Sequence, residues 1–378
     1  MKITVLQKNL KQGIFVTSSI TGKNNNLPIL NNLLISSSNG SLKLSATDLE
    51  LGVSTIVRGK IDEDGSVTVD AKLLSSYVAL LPNNKIEIVS TGPELALESE
   101  GYKTKIKGEL ADDYPLIPEL EKENYYQTNI NEFKQAISSV VFAVMFNENR
   151  LALSGVVFSI DNETLTMAGT DSYRLAEKVI KISSNITPVE GEGPRRIIIP
   201  IKTLQELARI IGGDFSDSKD VEDIRMYVTD NQIAFSFDTI EVVSRLIDEQ
   251  YPDYKQIIPN QFKSSCTLDR EELIRAVKAS ALFSKSGVND INLDLSVEKS
   301  ALVVSAASGQ AGENTASVAA KVEGVDNGVV INFKYLIDGL NNINSELVKI
   351  ELVDGMTPCL LRPVGVEGYL YIVMPIRK

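Results

Sequence analysis

The sequence predicts an α+β chain of three similar domains, each running helix, several strands, second helix, more strands, because three phrases recur in one order. The opening phrase carries apolar residues at helical spacing: LQKNLKQGIFVTSSIT from Leu6, INEFKQAISSVVFAV from Ile130 and LDREELIRAVKASALFS from Leu268. In the last copy Asp269 stands where a side chain would cap the first turn. The second phrase alternates apolar and polar residues into a turn: LKLSATDLELGV from Leu42, LTMAGTDSYRLA from Leu165 and LVVSAASGQAGE from Leu302, the third without its Thr-Asp. The third phrase is a β-like run, a Lys, an amphipathic helix and another β run: VTVDAKLLSSYVALLPNNKIEIV from Val67, IIIPIKTLQELARII with IRMYV after an insert, and VVINFKYLIDGLNNINSELVKIEL from Val329. Lys72, Lys202 and Lys334 hold the same place in each. The period of roughly 130 residues exceeds that of solenoid repeats, so the repeating unit is a domain.

Two segments rich in Pro and acidic residues separate the units, ELADDYPLIPELEKENYYQ from Glu109 to Gln127 and RLIDEQYPDYKQIIPNQF from Arg245 to Phe262. Proline excludes a helix interior, so both read as extended straps, and the domains are expected at 1–122, 123–260 and 261–378. The 378 residues agree with two or three cores, and the 43% hydrophobic residues with few aromatics point to cores of Val, Ile and Leu. GGDFSDSKDVED, Gly212 to Asp223, reads as a solvated acidic loop inserted before a strand. Cys266 and Cys359 are too few for a disulfide framework and read as small core residues in a reducing compartment. The first residues, MKITVLQKNL, lack the pattern of a signal peptide, and no apolar run approaches a membrane span, so a cytoplasmic protein without membrane partners is expected.

The chain has no His, which removes the commonest general base and metal ligand. Two separated Cys cannot build a structural zinc site, and Gly13, Gly22 and Lys23 have the wrong spacing for a phosphate loop. No cofactor or metal is expected. A pair of carboxylates acting on a glycosidic bond stays open as an enzymatic alternative. The default is a non-catalytic binding or scaffold protein. The net charge of -12 argues against a nucleic-acid partner, but its distribution does not, because cations recur on equivalent predicted helices: Lys8 and Lys11, Lys134, Lys202 and Arg209, Arg275 and Lys278. Helices turned to one common cavity would make it positive inside an acidic exterior, whereas the plainer reading makes each an ordinary solvated residue.

The phrases NLPILNNLLI from Asn26, SATDLELG from Ser45, the ADDYPLIP strap, RLALSGVVFSI from Arg150, GTDSYRLA from Gly169, RLIDEQYPDYKQIIP and the C-terminal YIVMPIRK together resemble the bacterial β sliding clamps, the processivity subunits of DNA polymerase III, over nearly the whole chain. The resemblance implies the DNA clamp fold: three α+β domains, each with two inner helices and outer antiparallel sheets, in a head-to-tail dimeric ring around duplex DNA. It implies DNA-facing positions at Lys8, Lys11, Lys23, Asn24, Lys72, Lys134, Asn147, Lys202, Arg275, Lys278 and Lys334. It also implies a pocket for a short partner peptide between the second and third domains, serving the polymerase III catalytic subunit, the clamp loader and other proteins with a clamp-binding motif. From the middle domain that pocket would take Arg150, Leu153, Thr170, Arg174 and Leu175, and from the strap Pro252 and Ile257. The third domain would supply Asn332, Tyr335 and Pro358, and the chain end Ile372, Val373, Met374, Pro375, Ile376 and Arg377. Apolar walls with a few polar groups suit a peptide anchor, and Met374 suits varied partners. Ser172 and Tyr173 stand where the family more often has Gly and His, Lys378 replaces an aliphatic end, and Asn24 replaces a frequent Arg. A three-domain scaffold without a DNA role is the competing hypothesis.

Overall fold

The computed structural model describes residues 1–22, 27–38, 40–145, 147, 149–161, 163–186, 193–213, 222–285 and 287–377. Lys23, Asn24, Lys378 and most of the acidic insert therefore lie outside the described residues. Two compact units emerge, one of Met1–Lys134, Ile182–Glu192 and Lys202–Leu246, the other of Gln135–Lys181, Gly193–Ile201 and Ile247–Lys378.

Among the described residues six α-helices fall where the phrases place them: α1 Gln7–Ser18, α2 Ala71–Leu80, α3 Ile130–Val141, α4 Ile201–Ile211, α5 Arg270–Ala281 and α6 Phe333–Asn342. Lys72, Lys202 and Lys334 are each the second residue of a helix. Short polar side chains satisfy the free amides of the first turns. Asp269 accepts from Glu272 N at 2.8 Å, as its place in the sequence predicts, Asp70 from Leu73 N at 2.7 Å and Asn332 from Lys334 N at 2.9 Å. Apolar positions three and four apart then turn inward: Leu204, Leu207 and Ile210 of α4 are fully buried. Gly13 lets α1 lie close on its sheet, since a Cβ there would meet the Val57 and Leu44 side chains.

The first unit holds two antiparallel sheets. One has five strands in the order Gly59–Glu63, Lys2–Leu6, Lys85–Thr91, Glu94–Ser99 and Tyr102–Lys107. The other has nine, running from Ser183–Ser184 to Gly65–Asp70, and its centre is a seam between repeats. Ile240–Arg245 of the middle repeat pairs with Leu51–Val57 of the first, from Ile240↔Thr55 to Ser244↔Leu51. The second unit is built on a twelve-stranded sheet with the same seam one repeat later: Arg174–Lys181 pairs with Tyr369–Val373, from Arg174↔Val373 to Lys178↔Tyr369. A strand at each seam that would otherwise be an open edge is thereby hydrogen-bonded.

Two strands equivalent to those at the seams have an open side. Tyr102–Lys107 is the end strand of the five-stranded sheet. The long strand Gly312–Gly324 changes partner along its length: Ala320–Gly324 pairs with Ser264–Leu268, whereas over Gly312–Ala319 it has Ala301–Ser308 on one side and no strand among the described residues on the other.

The straps begin alike in all three repeats. Glu109 exchanges backbone hydrogen bonds with Thr68 at 2.9 and 3.1 Å, Ile247 N donates to Ile198 O at 2.9 Å, and Ile376 N donates to Val330 O at 2.8 Å. The C-terminal tail thus takes the position of a strap. Further along, tyrosines pin the chain: the buried Tyr114 hydroxyl accepts from Thr47 N and donates to Asn32 O, and the partly buried Tyr251 donates to Ala168 O. Apart from short 3-10 turns at Ala111–Asp113 and Tyr254–Ile257, the straps between the strands at their two ends hold no helix, as their prolines predict. Both cysteines are buried and unpaired, and burial pushes the Cys266 thiol up to about 12. Among the described residues no helix is long and apolar enough to cross a membrane.

Candidate functional site

The second unit carries a cleft of about 470 Å3. Its apolar lining comes from the 3-10 turn Leu151–Ser154, from Pro252, Tyr254 and Ile257 of the strap, and from Met374 of the tail. Leu153 is nearly buried at 7% exposure, whereas Leu151 and Ile257 stand half open at 49% and 38%, so a ligand would find hydrocarbon to cover. The strap is held down by chemistry at its back. Tyr254 donates to Glu177 at 2.6 Å, and burial together with that carboxylate raises its phenol pKa far above the ordinary value.

The polar side of the cleft is the turn from Thr170 to Arg174, and its sequence explains its shape. Asp171 Oδ1 accepts from the amides of Tyr173 and Arg174 at 2.9 and 3.0 Å, closing an Asx turn, while Thr170 Oγ1 donates to Arg174 O at 2.5 Å. The turn requires a left-handed residue, and Ser172 supplies it at φ 78°. A glycine would adopt that conformation without cost. The first repeat builds the same turn with Leu49 at φ 78° after Thr47 and Asp48, so the geometry belongs to the repeated phrase and not to the cleft alone. Ser172 Oγ in exchange accepts from Arg150 Nη1 at 3.2 Å, which draws Arg150 to the rim.

Arg174 is the most constrained cation of the site. Its Nε donates to Asp171 at 3.0 Å and its Nη1 to Asp338 of α6 at 2.5 Å. Its guanidinium lies 4.7 Å from the centre of the Tyr335 ring and 5.7 Å from that of Phe142. A planar, always-charged fork fits two carboxylates and two rings as an ammonium could not. Behind it the buried Tyr371 hydroxyl donates to Tyr335 O at 2.8 Å, which fixes the first turn of α6.

Of the pocket residues expected from the sequence, Arg150, Leu153, Thr170, Arg174, Pro252, Ile257 and Met374 line this cleft. Tyr335 adjoins it through Arg174. Leu175, Ile372 and Val373 are fully buried strand residues behind the cleft, where they form its foundation and not its surface. Asn332 is occupied as the cap of α6, Pro375 pairs with Ile331, and Ile376 is bonded to Val330. Pro358 and Arg377 are outside the lining. Sequence reasoning left Tyr254, Glu249 and Asp253 out of the set, although all three border the cleft; their signal was the strap phrase itself, whose Tyr-Pro pair repeats at Tyr114 and Tyr251.

The expected DNA-facing cations divide by partner. Lys11, Lys72, Lys278 and Lys334 are exposed and form no ion pair among the described residues. Lys8 is also exposed, and Lys134 is half-buried against Gly212. Arg275 lies 3.9 Å from Glu272 at an exposed site, a weak pairing. Lys202 pairs with Asp48. Arg209 is fully engaged: it binds both oxygens of Glu206, covers the Phe15 ring at 4.3 Å, and donates to Phe15 O, Val16 O and Ser19 Oγ. It caps the C-terminal end of α1, whose own last turn has no basic residue. Asn147 is half-buried, its amide bonded to Ser154 Oγ at 2.8 Å. In each helix the cations still equal or outnumber the carboxylates, against a chain whose net charge is -12. Among the described residues no group of acidic or thiol side chains is arranged to hold a metal.

Comparison with known proteins places this geometry in a family. Models of the DNA polymerase III beta subunit match in three consecutive parts: the N-terminal domain at residues 1–118, the central domain at 127–253 and the C-terminal domain at 255–377. The beta sliding clamp of Synechococcus elongatus is 29% identical, with 100% of this chain and 99% of that one covered, and that of Chlamydia muridarum is 27% identical with the same coverage. The DNA polymerase III beta subunit of Thermotoga maritima superposes with a TM-score of 0.90 at 26% identity, and the sliding clamp of Bacillus subtilis with 0.91 at 25%, each over 100% of this chain and 99% of its own.

Proposed function

The chain belongs to the DNA polymerase III beta-subunit family, and from that premise we propose that two copies close head to tail into a ring around duplex DNA. It is a non-catalytic processivity factor of DNA polymerase III. The observation that carries the ring is the repeated seam. Within the chain, repeat one joins repeat two and repeat two joins repeat three by the same antiparallel strand pair. Repeat three offers the open side of Gly312–Ala319, and repeat one offers Tyr102–Lys107, the two strands that would make the same seam between copies.

Side chains beside these edges support the reading. The residue just after the first helix of a repeat touches the next repeat at each internal seam: Ser19 bonds Glu206 of α4, and Phe142 packs on Tyr371 at 5.4 Å between centroids. In the third repeat that residue is Leu282, 76% exposed, and α2 of the first repeat presents Leu73 and Leu80 at 54% and 79%. Uncovered leucines at an open seam are what a second copy would bury.

Cations on the helices would meet phosphates without reading bases, so contacts stay weak, salt-dependent and compatible with sliding. The DNA-facing set is then Lys8, Lys11, Lys72, Lys134, Arg275, Lys278 and Lys334, with Lys23 and Asn24, which lie outside the described residues, added from the sequence. Lys202 contributes less, because Asp48 already neutralises it. The cleft takes a short peptide with an apolar end, carried by the polymerase catalytic subunit, the clamp loader and other motif-bearing proteins. Domains at 1–122, 123–260 and 261–378, and a cytoplasmic location, complete the proposal. The test is topological: protein loaded on nicked circular DNA is released when the circle is cut. Retention on the linear product would refute the ring.

A further inference from the structure

The frame of the cleft occurs twice in the chain. At the first seam Thr47, Asp48, Leu49 and Leu51 stand where Thr170, Asp171, Ser172 and Arg174 stand at the second, and the same four hydrogen bonds close the turn. A 3-10 turn accompanies each, Pro28–Asn31 and Leu151–Ser154, burying Leu30 in one and Leu153 in the other. The strap tyrosines Tyr114 and Tyr251 both accept from the amide of the turn's threonine. The chain leaving the seam is tied alike, Arg245 N to Glu50 O at 3.0 Å and Met374 N to Tyr173 O at 2.9 Å.

On this shared frame three positions differ in one direction. Arg150, Ser172 and Asp253, which line the second cleft, are replaced by Leu27, Leu49 and Leu116, exposed by 44%, 44% and 95%. The next strap residue, Ile117, turns inward to the room left by Gly52, where a Cβ would meet it, and Leu116 is left facing solvent. Leu49 holds its place at φ 78°, a left-handed backbone that a leucine adopts at a cost, and such cost is stored where a side chain is used. The charges beside these leucines are mainly negative. Asp112, Asp113 and Glu119 of the strap and Glu50 of the turn are exposed, and only Lys43, 3.7 Å from Glu119, and Arg245, 3.8 Å from Glu50, weakly oppose them among the described residues.

We propose that the first seam carries a second docking site, for a partner-protein segment in which two or three aliphatic residues are flanked by lysine or arginine. Single surface leucines are ordinary, but three on one frame, each in place of a polar residue, form an apolar contact that a ligand covers. The carboxylates around them select a cationic flank. The two seams thus sort ligands by charge, since Arg150 and Arg174 stand at the second where Leu27 and Leu51 stand at the first. That the ligand is a peptide rests on the reading of the second cleft, whereas the place and its chemistry rest on the first seam alone.

The experiment measures, by fluorescence anisotropy, dissociation constants of the labelled peptides Lys-Leu-Ser-Leu-Leu-Lys and Gln-Leu-Ser-Leu-Phe for the full chain and for Leu116→Asp and Leu49→Ser, which install the residues of the second seam. Leu116 is so exposed that its replacement leaves the fold intact, and circular dichroism checks both variants. The basic peptide should bind the unaltered chain and lose about tenfold or more in affinity with each substitution, the equivalent of one covered leucine. Exchanging its lysines for glutamates should weaken it as well, and excess Gln-Leu-Ser-Leu-Phe should not displace it. Absence of binding to the unaltered chain would overturn the proposal, as would an affinity that either substitution leaves unchanged. Displacement by Gln-Leu-Ser-Leu-Phe would put the basic peptide in the second cleft and equally overturn it. A chain that binds the basic peptide at the leucines but not Gln-Leu-Ser-Leu-Phe would refute the reading of the second cleft and leave the first-seam site standing.

Discussion

Replacing Leu282 probes the seam between copies without touching the fold of either. The side chain is 76% exposed at the end of α5, so in a separated chain its loss should leave the melting temperature unchanged. Full burial of a leucine is worth about 1.5–3 kcal/mol, and covering the exposed three quarters of this one corresponds to about 1–2 kcal/mol. A head-to-tail ring of two chains contains the seam twice, so Leu282→Ala should weaken the closed dimer by about 2–4 kcal/mol, or roughly 30- to 800-fold in Kd. Leu282→Asp should go further, because a carboxylate would be carried into the contact without a partner. Sedimentation over a dilution series reads the dimer constant, and circular dichroism checks the fold. A Leu282→Asp chain that dimerises with the original constant would refute the placement of this residue in the seam, and with it the argument from repeated geometry.

Two further outcomes follow from the same structure. Arg209→Ala should lower the denaturation midpoint by about 2 kcal/mol equivalent, because it uncaps α1 and leaves the Glu206 carboxylate, 10% exposed, without its fork. Arg209→Lys should restore little, since one ammonium cannot span the same acceptors. A chain without His should keep a flat melting temperature from about pH 6 to 9. Above that it should lose stability: Tyr114, raised by burial from 10.0 to about 12, stabilises the folded form fully below about pH 10, and this contribution, on the order of 2 kcal/mol, disappears as pH rises through about 12. Tyr251, Tyr254, Tyr369 and Tyr371 shift in the same direction, so a melting temperature that held constant up to pH 12 would contradict their burial.

What the sequence determined by itself is local and periodic. Helical spacing and short polar caps are properties of a few consecutive residues, which is why α5 behind Asp269, the second-position lysines and the proline-rich straps could be read directly. Repetition added the three-fold plan, because equivalent phrases must fold alike. The tertiary structure decided which of these residues remain available. Lys202 and Asp48 lie 154 positions apart and Arg209 reaches carbonyls 193 and 194 positions away, so no local pattern marks those cations as already engaged. The same holds for the cleft, where Leu175, Ile372 and Val373 belong to the family phrases yet become the strands beneath the surface, while Tyr254 and Leu151 line it. Side-chain availability depends on which strands meet at a seam, and that pairing joins segments too distant in the chain for propensity or spacing to register.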